Sequence, residues 1–388
     1  MENVAVVHYD EIALKGANRK MFEGALVSNL EQKISDKQIP FIVSRKWGRL
    51  LIEKLDGSHI EELKKILSST PGVVVFGLGI SVEPNKESIL EGVRHVAQHI
   101  EEDFNTFRIT TSRVNKKFEL TSNEMNILAG DAVWKILDGK KEVKLKNSDI
   151  NIRIEILEDV SYIYVKEQGL SGLPVGSSGR AIALLSGGFD SPVATHMCAV
   201  RGVRPILMHF HSYPQTSKAA MEKVEELGKV LKEVCGPITL VLVPLLDAQK
   251  EIAIVAPERL RVILYRRLMM EAAEKYALKN NAKAIITGEA VGQVASQTLE
   301  NIGVVDQATS LPILRPLAGM NKREIIDRSR EINTHDISVL PHDDTCTVFM
   351  PKHPETRAKL KDVIEAEEKY DKESLVAHML ERSEVIKL

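Results

Sequence analysis

Residues 181–192 read AIALLSGGFDSP: an apolar run, then Ser186, Gly187, Gly188, Phe189, Asp190, Ser191 and Pro192. The run has the length and texture of a buried strand. A glycine pair at a strand end allows a tight turn whose backbone N–H groups point inward, a nest for anionic oxygens. Pro192 suits the first turn of a following helix, and the helix dipole adds positive potential at the same place. Ser186 and Ser191 offer hydroxyls to a phosphate. Asp190, a carboxylate among phosphate oxygens, makes sense chiefly if it helps to hold a metal ion. An ordinary strand–turn–helix with a capping Ser or Asp would use the same residue types, but S-G-G-x-D-S is the more demanding string. No G-x-x-x-x-G-K-[ST] stands here, so this is not a Walker loop.

Downstream the pattern of that strand repeats. Residues 203–210, 238–243 and 284–287 are further continuous apolar runs, separated by helical stretches at 192–200, 218–234 and 258–278. Alternating strand and helix predicts a parallel, doubly wound sheet with right-handed crossovers. Ligands bind such sheets at the carboxyl ends of the strands, where the glycine pair lies.

Upstream the texture differs. A strand at 4–8, a helix at 18–34 (Phe22, Leu26 and Leu30 four apart), strands at 41–43 and 50–52 around Gly48, and a helix at 60–67 precede a closing strand at 73–76. That order is a split βαβ, ferredoxin-like unit. A helix at 86–100 and a strand at 107–111 follow, then a basic segment carrying Arg113, Lys116 and Lys117 between Phe107 and Phe118. These three cations are candidate RNA contacts, although a solvated strand edge would carry the same charges. Residues 150–156 alternate apolar and polar, which predicts a half-buried strand. Residues 167–180 concentrate Gly and Ser around Pro174 and read as a linker.

The 388 residues suggest two or three domains. An apolar fraction of 44% with 27% charged residues excludes disorder, and a net charge of −2 means that any polyanion site is a local patch. The longest apolar stretch, 238–246, is broken by Thr239 and Pro244, so no membrane span is expected. The start, MENVAVVHYDE, has no basic leader and reads as mature sequence. Cys198, Cys235 and Cys346 have neither C-x-x-C nor zinc spacing, which points to free thiols in a reducing, cytoplasmic compartment.

The string at 186–191 resembles the PP-loop of the ATP pyrophosphatases, which cleave ATP between its α and β phosphates. Around it, in one order, stand YDEIALKGANRKMFE at 9–23, RVNKKF at 113–118, GLPVGSSGR at 172–180, TGEAVGQVASQTLENI at 287–302, PILRPLAGMNKREII at 312–326 and DDTCTVFMPKHP at 343–354. Together they resemble the tRNA 4-thiouridine synthetase (tRNA sulfurtransferase) family, in the form lacking a C-terminal rhodanese domain. The tail after Cys346 reads as a charged helical stretch over 358–388, too short for such a domain.

The resemblance implies a multidomain α/β and α+β chain. A ferredoxin-like domain occupies 1–58, or reaches about 76 with its closing strand; a THUMP RNA-binding domain occupies 59–167, a linker 168–178, and a doubly wound PP-loop ATP pyrophosphatase domain 179–388. It implies an ATP-dependent transferase that adenylates the uridine at position 8 of tRNA and replaces O4 with sulfur, delivered as a persulfide on Cys346. Alternatives are a sulfur-carrier step in thiamine thiazole synthesis, another PP-loop tRNA-modifying enzyme, or an amide-forming relative. Implied ATP contacts are Leu184, Leu185, Ser186, Gly187, Gly188, Asp190, Ser191, His209, Phe210, Arg266, Gly288 and Gln297. Implied catalytic residues are Cys346, Asp190 and Lys322, and the implied cofactors are ATP and Mg, the metal held through Asp190. Implied partners are tRNA, a cysteine desulfurase or other persulfide donor, and a second copy of the chain in a homodimer. A buried sheet would demand Leu184, Leu185 and Phe210 in any case, and a helix start would tolerate Lys322 as a solvated lysine.

Overall fold

The structure is a computed structural model that describes residues 1–55, 57–341 and 348–388. The chain divides into two units, Met1–Pro174 and Val175–Leu388.

In the first unit, strands Glu2–His8, Ile42–Lys46, Arg49–Glu53 and Val75–Val82 alternate with helices Arg19–Asp36 and Ile60–Ser68 in the expected order. Glu2–His8 pairs antiparallel with Arg49–Glu53 on one side and Val75–Val82 on the other. Helix Arg19–Asp36 buries Phe22, Leu26, Leu30 and Ile34 at helical spacing. They meet Ala5, Val7, Leu50 and Ile52, the alternate residues that the strands turn to one face. Each such side chain removed from water contributes about 1.5–3 kcal/mol.

The closing strand is longer than the sequence reading at 73–76, because it serves two motifs. Its far edge pairs with Ser161–Val165, and the sheet continues through Ile150–Ile156, Thr106–Arg113 and Glu142–Val143. With Glu167–Gln168, paired antiparallel to the start of Val75–Val82, this makes one nine-stranded sheet among the described residues. Gly77 and Gly79 permit the join. A Cβ at Gly79 would lie 1.9 Å from the Ile163 carbonyl oxygen, and one at Gly77 would lie 2.1 Å from the Tyr164 ring.

Strand Ile150–Ile156 is also more buried than its alternation predicts. Asn151 and Glu155, two of its three polar members, are buried. The reason is pairing: Glu155 accepts Tyr164 Oη–H at 2.6 Å, lies 2.7 Å from His8 Nε2, and is paired with Arg49. Burial opposes its ionisation, yet these partners hold the Glu155 carboxyl at about 2.

The second unit carries the parallel strands Ile313–Leu314, Ile285–Ile286, Arg180–Leu184, Arg204–His211 and Thr239–Pro244, in that order across the sheet. Helices Asp190–Val200 and Lys218–Cys235 cover one face around Ala183, Leu207 and Leu240; helix Arg261–Lys279 covers the other around Ile182, Met208 and Val241. The tail departs from the expected helix. Helices Leu360–Glu367 and Lys372–Glu381 are followed by strand Glu384–Lys387, which closes the sheet edge antiparallel to Thr239–Pro244. No described helix is long and apolar enough to cross a membrane.

Candidate active site

The apolar strand Arg180–Leu184 delivers the S-G-G-x-D-S string to the carboxyl edge of the sheet, and helix Asp190–Val200 starts immediately beyond it. The loop is closed from inside. Ser191 is buried, and its Oγ accepts the Ser186 N–H at 2.8 Å while lying 3.1 Å from Ser186 Oγ. Ser191 is therefore a staple of the turn, and Ser186 is the exposed hydroxyl of the pair. No side chain caps the start of the helix, so its first N–H groups are available to an anion. Gly288, on the neighbouring strand end, backs the loop so closely that a Cβ there would lie 2.6 Å from Ser191 N.

Asp190 and Lys322, 132 residues apart in sequence, meet: Nζ lies 2.8 and 3.1 Å from the two carboxylate oxygens. Gln293 Nε2 donates to Asp190 Oδ2 at 2.9 Å. Lys322 is placed by its helix, Lys322–Glu331, which Asn321 and Glu324 cap reciprocally. Its ammonium also lies 5.4 Å from the Phe189 ring centroid. Among the described residues no group of three or more His, Cys, Asp or Glu is placed to hold a metal.

The remaining expected ATP contacts divide. Leu184 is half-buried at the strand end, Leu185 is buried, and His209 Nδ1 lies 2.8 Å from the Leu185 carbonyl oxygen. The Phe210 side chain sits in the core beside Met208 and Val243. Arg266 donates to Ser296 Oγ at 2.8 Å and is paired with Glu289. Burial opposes ionisation of Glu289, but Arg266, Arg315 and the Thr287 hydroxyl hold its carboxyl below the usual range. Arg266 thus arrives at the site already neutralised in part. Gln297 lies in the same wall, its backbone N–H donating to Val294 O at 2.8 Å.

Three family profiles match the chain: the ThiI ferredoxin-like domain over 4–77, the THUMP domain over 83–166, and thiamine biosynthesis protein (ThiI) over 176–372. A probable tRNA sulfurtransferase of Finegoldia magna is 41% identical over 98% of each chain. Another, from Caldanaerobacter subterraneus subsp. tengcongensis, is 42% identical over 100% of each. The chain belongs to the tRNA sulfurtransferase (ThiI) family. Consistent with this, a crystal structure of a 4-thiouridine synthetase–RNA complex with bound ATP matches at a TM-score of 0.89 and 34% identity, covering 100% of both chains. PH1313 from Pyrococcus horikoshii, 24% identical with a TM-score of 0.63, shares the fold over 85% of this chain and 99% of its own. The expected fold class, with ferredoxin-like, THUMP and PP-loop parts, is borne out.

Within this family fold, several site-forming residues escaped the sequence reading. Gln293 and Glu289 stand inside the motif at 287–302, but only the folded chain brings them to Asp190 and Arg266. Cys346 lies outside the described residues. The chain on either side of its segment is fastened: Lys223 Nζ donates to Ser338 O at 2.9 Å and Leu340 O at 2.6 Å. On the far side, the fully buried Asn301 accepts the Ala358 N–H at 3.0 Å and donates to Glu355 O at 2.7 Å. Cys198 and Cys235 are both buried, as their apolar surroundings predict, and burial pushes the Cys198 thiol up to about 11. In the first unit, Lys116 and Lys117 are exposed, whereas Arg113 is occupied, donating to Phe118 O at 3.1 Å and Leu120 O at 2.9 Å.

Proposed function

We propose that this enzyme activates the uridine at position 8 of tRNA with ATP and replaces its O4 by sulfur, giving 4-thiouridine. The observation that carries the reading is Asp190, held between Lys322 and Gln293 at the mouth of a stapled loop, in a chain of the tRNA sulfurtransferase family. The uridine O4 attacks the α-phosphorus, pyrophosphate leaves, and C4 then bears an adenylated oxygen. Loop and helix N–H groups, with Lys322, stabilise the charge that builds on the phosphate oxygens. Asp190 is the carboxylate that would hold Mg, one carboxylate plus substrate phosphates being the usual arrangement, and the metal would supply charge neutralisation. The ATP contacts assigned from the sequence, Phe210 through its backbone, belong to this reading, as does the domain division at 167 and 178, with the ferredoxin-like part reaching about 76.

Cys346 carries the sulfur. The terminal sulfur of its persulfide attacks C4, AMP leaves, and a thiol then cleaves the S–S bond, releasing 4-thiouridine and leaving Cys346 in a disulfide. The persulfide comes from a separate donor of the cysteine desulfurase class, Lys116 and Lys117 contact the tRNA backbone, and the working form is a homodimer in the cytoplasm.

The test is mass analysis of position 8 after incubating tRNA with the protein, ATP, Mg and a persulfide-loaded desulfurase. Wild type gains sulfur; Cys346→Ser releases pyrophosphate but leaves the uridine unthiolated. Thiolation by Cys346→Ser at the wild-type rate would remove the carrier step, and unmodified tRNA with wild type would remove the reading itself.

A further inference from the structure

The motif YDEIALKGANRKMFE at 9–23 lies far in sequence from the loop, and the chemistry above leaves it without a task. Three of its polar members converge. Tyr9 and Glu23 are both buried, and the Tyr9 hydroxyl is hydrogen-bonded to Glu23. Arg19 donates from Nε to Glu23 Oε1 at 2.7 Å and from Nη2 to Tyr9 Oη at 2.9 Å. Two fixed hydrogen bonds set the plane of this guanidinium. It stands 5.6 Å from the Tyr9 ring and 6.0 Å from the ring of Trp47.

Trp47 is the tip of the hairpin between strands Ile42–Lys46 and Arg49–Glu53, and it is 82% exposed. An indole so far out in water contributes little to folding. Its setting is cationic: Arg45, 3.8 Å from Glu23, and Lys46 precede it, and Lys15 and Lys20 flank Arg19 in sequence. Glu23, the acid at the centre, is satisfied by Tyr9 and Arg19. A planar aromatic surface, a planar oriented cation and surrounding positive charge are the elements that bind unpaired nucleotides: bases stack on the rings and phosphates meet the cations.

We infer that Trp47 and Arg19 form a stacking platform for an unpaired base of the tRNA substrate, with Arg45 and Lys46 on the adjoining phosphates. This rests on the tRNA reading and extends it to a surface distinct from Lys116 and Lys117. The motif at 9–23 then acquires a purpose: Tyr9 and Glu23 orient Arg19, and Arg19 faces the indole.

The experiment measures the Kd of the full-length protein, as wild type, Trp47→Ala, Trp47→Phe and Arg19→Lys, for intact tRNA and for a blunt RNA duplex without unpaired bases. Thermal melting of each variant checks the fold. Trp47→Ala should weaken tRNA binding roughly tenfold or more, the effect of losing one base stack. It should leave duplex binding and the melting temperature unchanged, and Trp47→Phe should recover most of the loss. Arg19→Lys keeps the charge but not the plane, and should lose tRNA affinity in the same selective way. As a second readout, with Trp134→Phe in the background the only tryptophan is Trp47, and tRNA should quench its fluorescence while the duplex should not. Equal weakening for both RNAs would make Trp47 a backbone contact and overturn the stacking assignment. An unaffected tRNA Kd, with sulfur uptake from the persulfide donor lost instead, would make the surface a protein dock and also overturn it. Wild-type protein that binds no tRNA would sink the functional reading along with this one; wild-type binding with an indifferent Trp47→Ala would sink this inference alone.

Discussion

The loop at 186–191 and the segment at 113–118 are both assigned to phosphates, and they are built in opposite ways. In the loop each functional group is held: Ser191 staples the turn, Lys322 and Gln293 grip Asp190, and Gly288 presses against the backbone. In the segment Arg113 is committed to carbonyl oxygens, and Lys116 and Lys117 are exposed on long flexible stems. The difference follows from the task. Reacting phosphates need donors fixed to a fraction of an ångström, because misplacement by about 1 Å can cost a hundredfold in rate. An RNA backbone needs charge at roughly the right place, and counterion release rewards it without a fixed geometry.

The contrast is broken most severely at Asp190. Asp190→Ala releases Lys322 and Gln293 together, and pyrophosphate release should fall roughly a thousandfold, with tRNA affinity within about twofold of wild type. Comparable loss in a tRNA-binding assay would mean that the two regions are not separate in function. Gly288→Ala comes next. Its methyl group must displace the Ser191 backbone, so adenylation should drop roughly a hundredfold while the protein still folds by circular dichroism; full activity would show that the loop tolerates movement. Reversing charge at Lys116 and Lys117 together should weaken tRNA binding roughly tenfold and make the salt dependence shallower by about two phosphate contacts, with turnover at saturating tRNA unchanged. An unaltered slope would remove both lysines from the interface. The smallest effect belongs to Arg113→Gln. Losing two carbonyl contacts should cost about 1 kcal/mol of stability, read as a lower melting temperature, and only a few-fold in affinity. Strong loss of tRNA binding with unchanged melting would instead make Arg113 a direct contact.

The order of strands and helices around the loop was legible because each parallel strand is an uninterrupted apolar run, and the loop because six residues of fixed type stand at a strand end. Other features were hidden for specific reasons. Residues 384–387 form only four residues of edge strand, in a charged tail whose local preferences favour helix, and their pairing with Thr239–Pro244 is a long-range choice. Glu155 looked like a solvent-facing member of an alternating strand; only the folded sheet brings His8, Arg49 and Tyr164 to it. Arg266 read as an ATP contact, and its attachment to Glu289 spans 23 residues that no periodicity connects. Phe210 read as core or as an ATP contact, and its side chain packs in the core.

Strand Val75–Val82 carries one more consequence. It completes the ferredoxin-like motif with one edge and begins the THUMP sheet with the other, so no boundary between these parts leaves both with their full complement of hydrogen bonds. A cut at residue 83, where the THUMP profile begins, would strip Ser161–Val165 of its neighbour and expose a raw sheet edge, a template for aggregation. The expected outcome is that the two parts unfold as one cooperative block, with a single heat-absorption peak in calorimetry, and that the amides of 75–82 exchange with solvent only when the whole block opens. What sequence profiles divide in two, one shared strand joins.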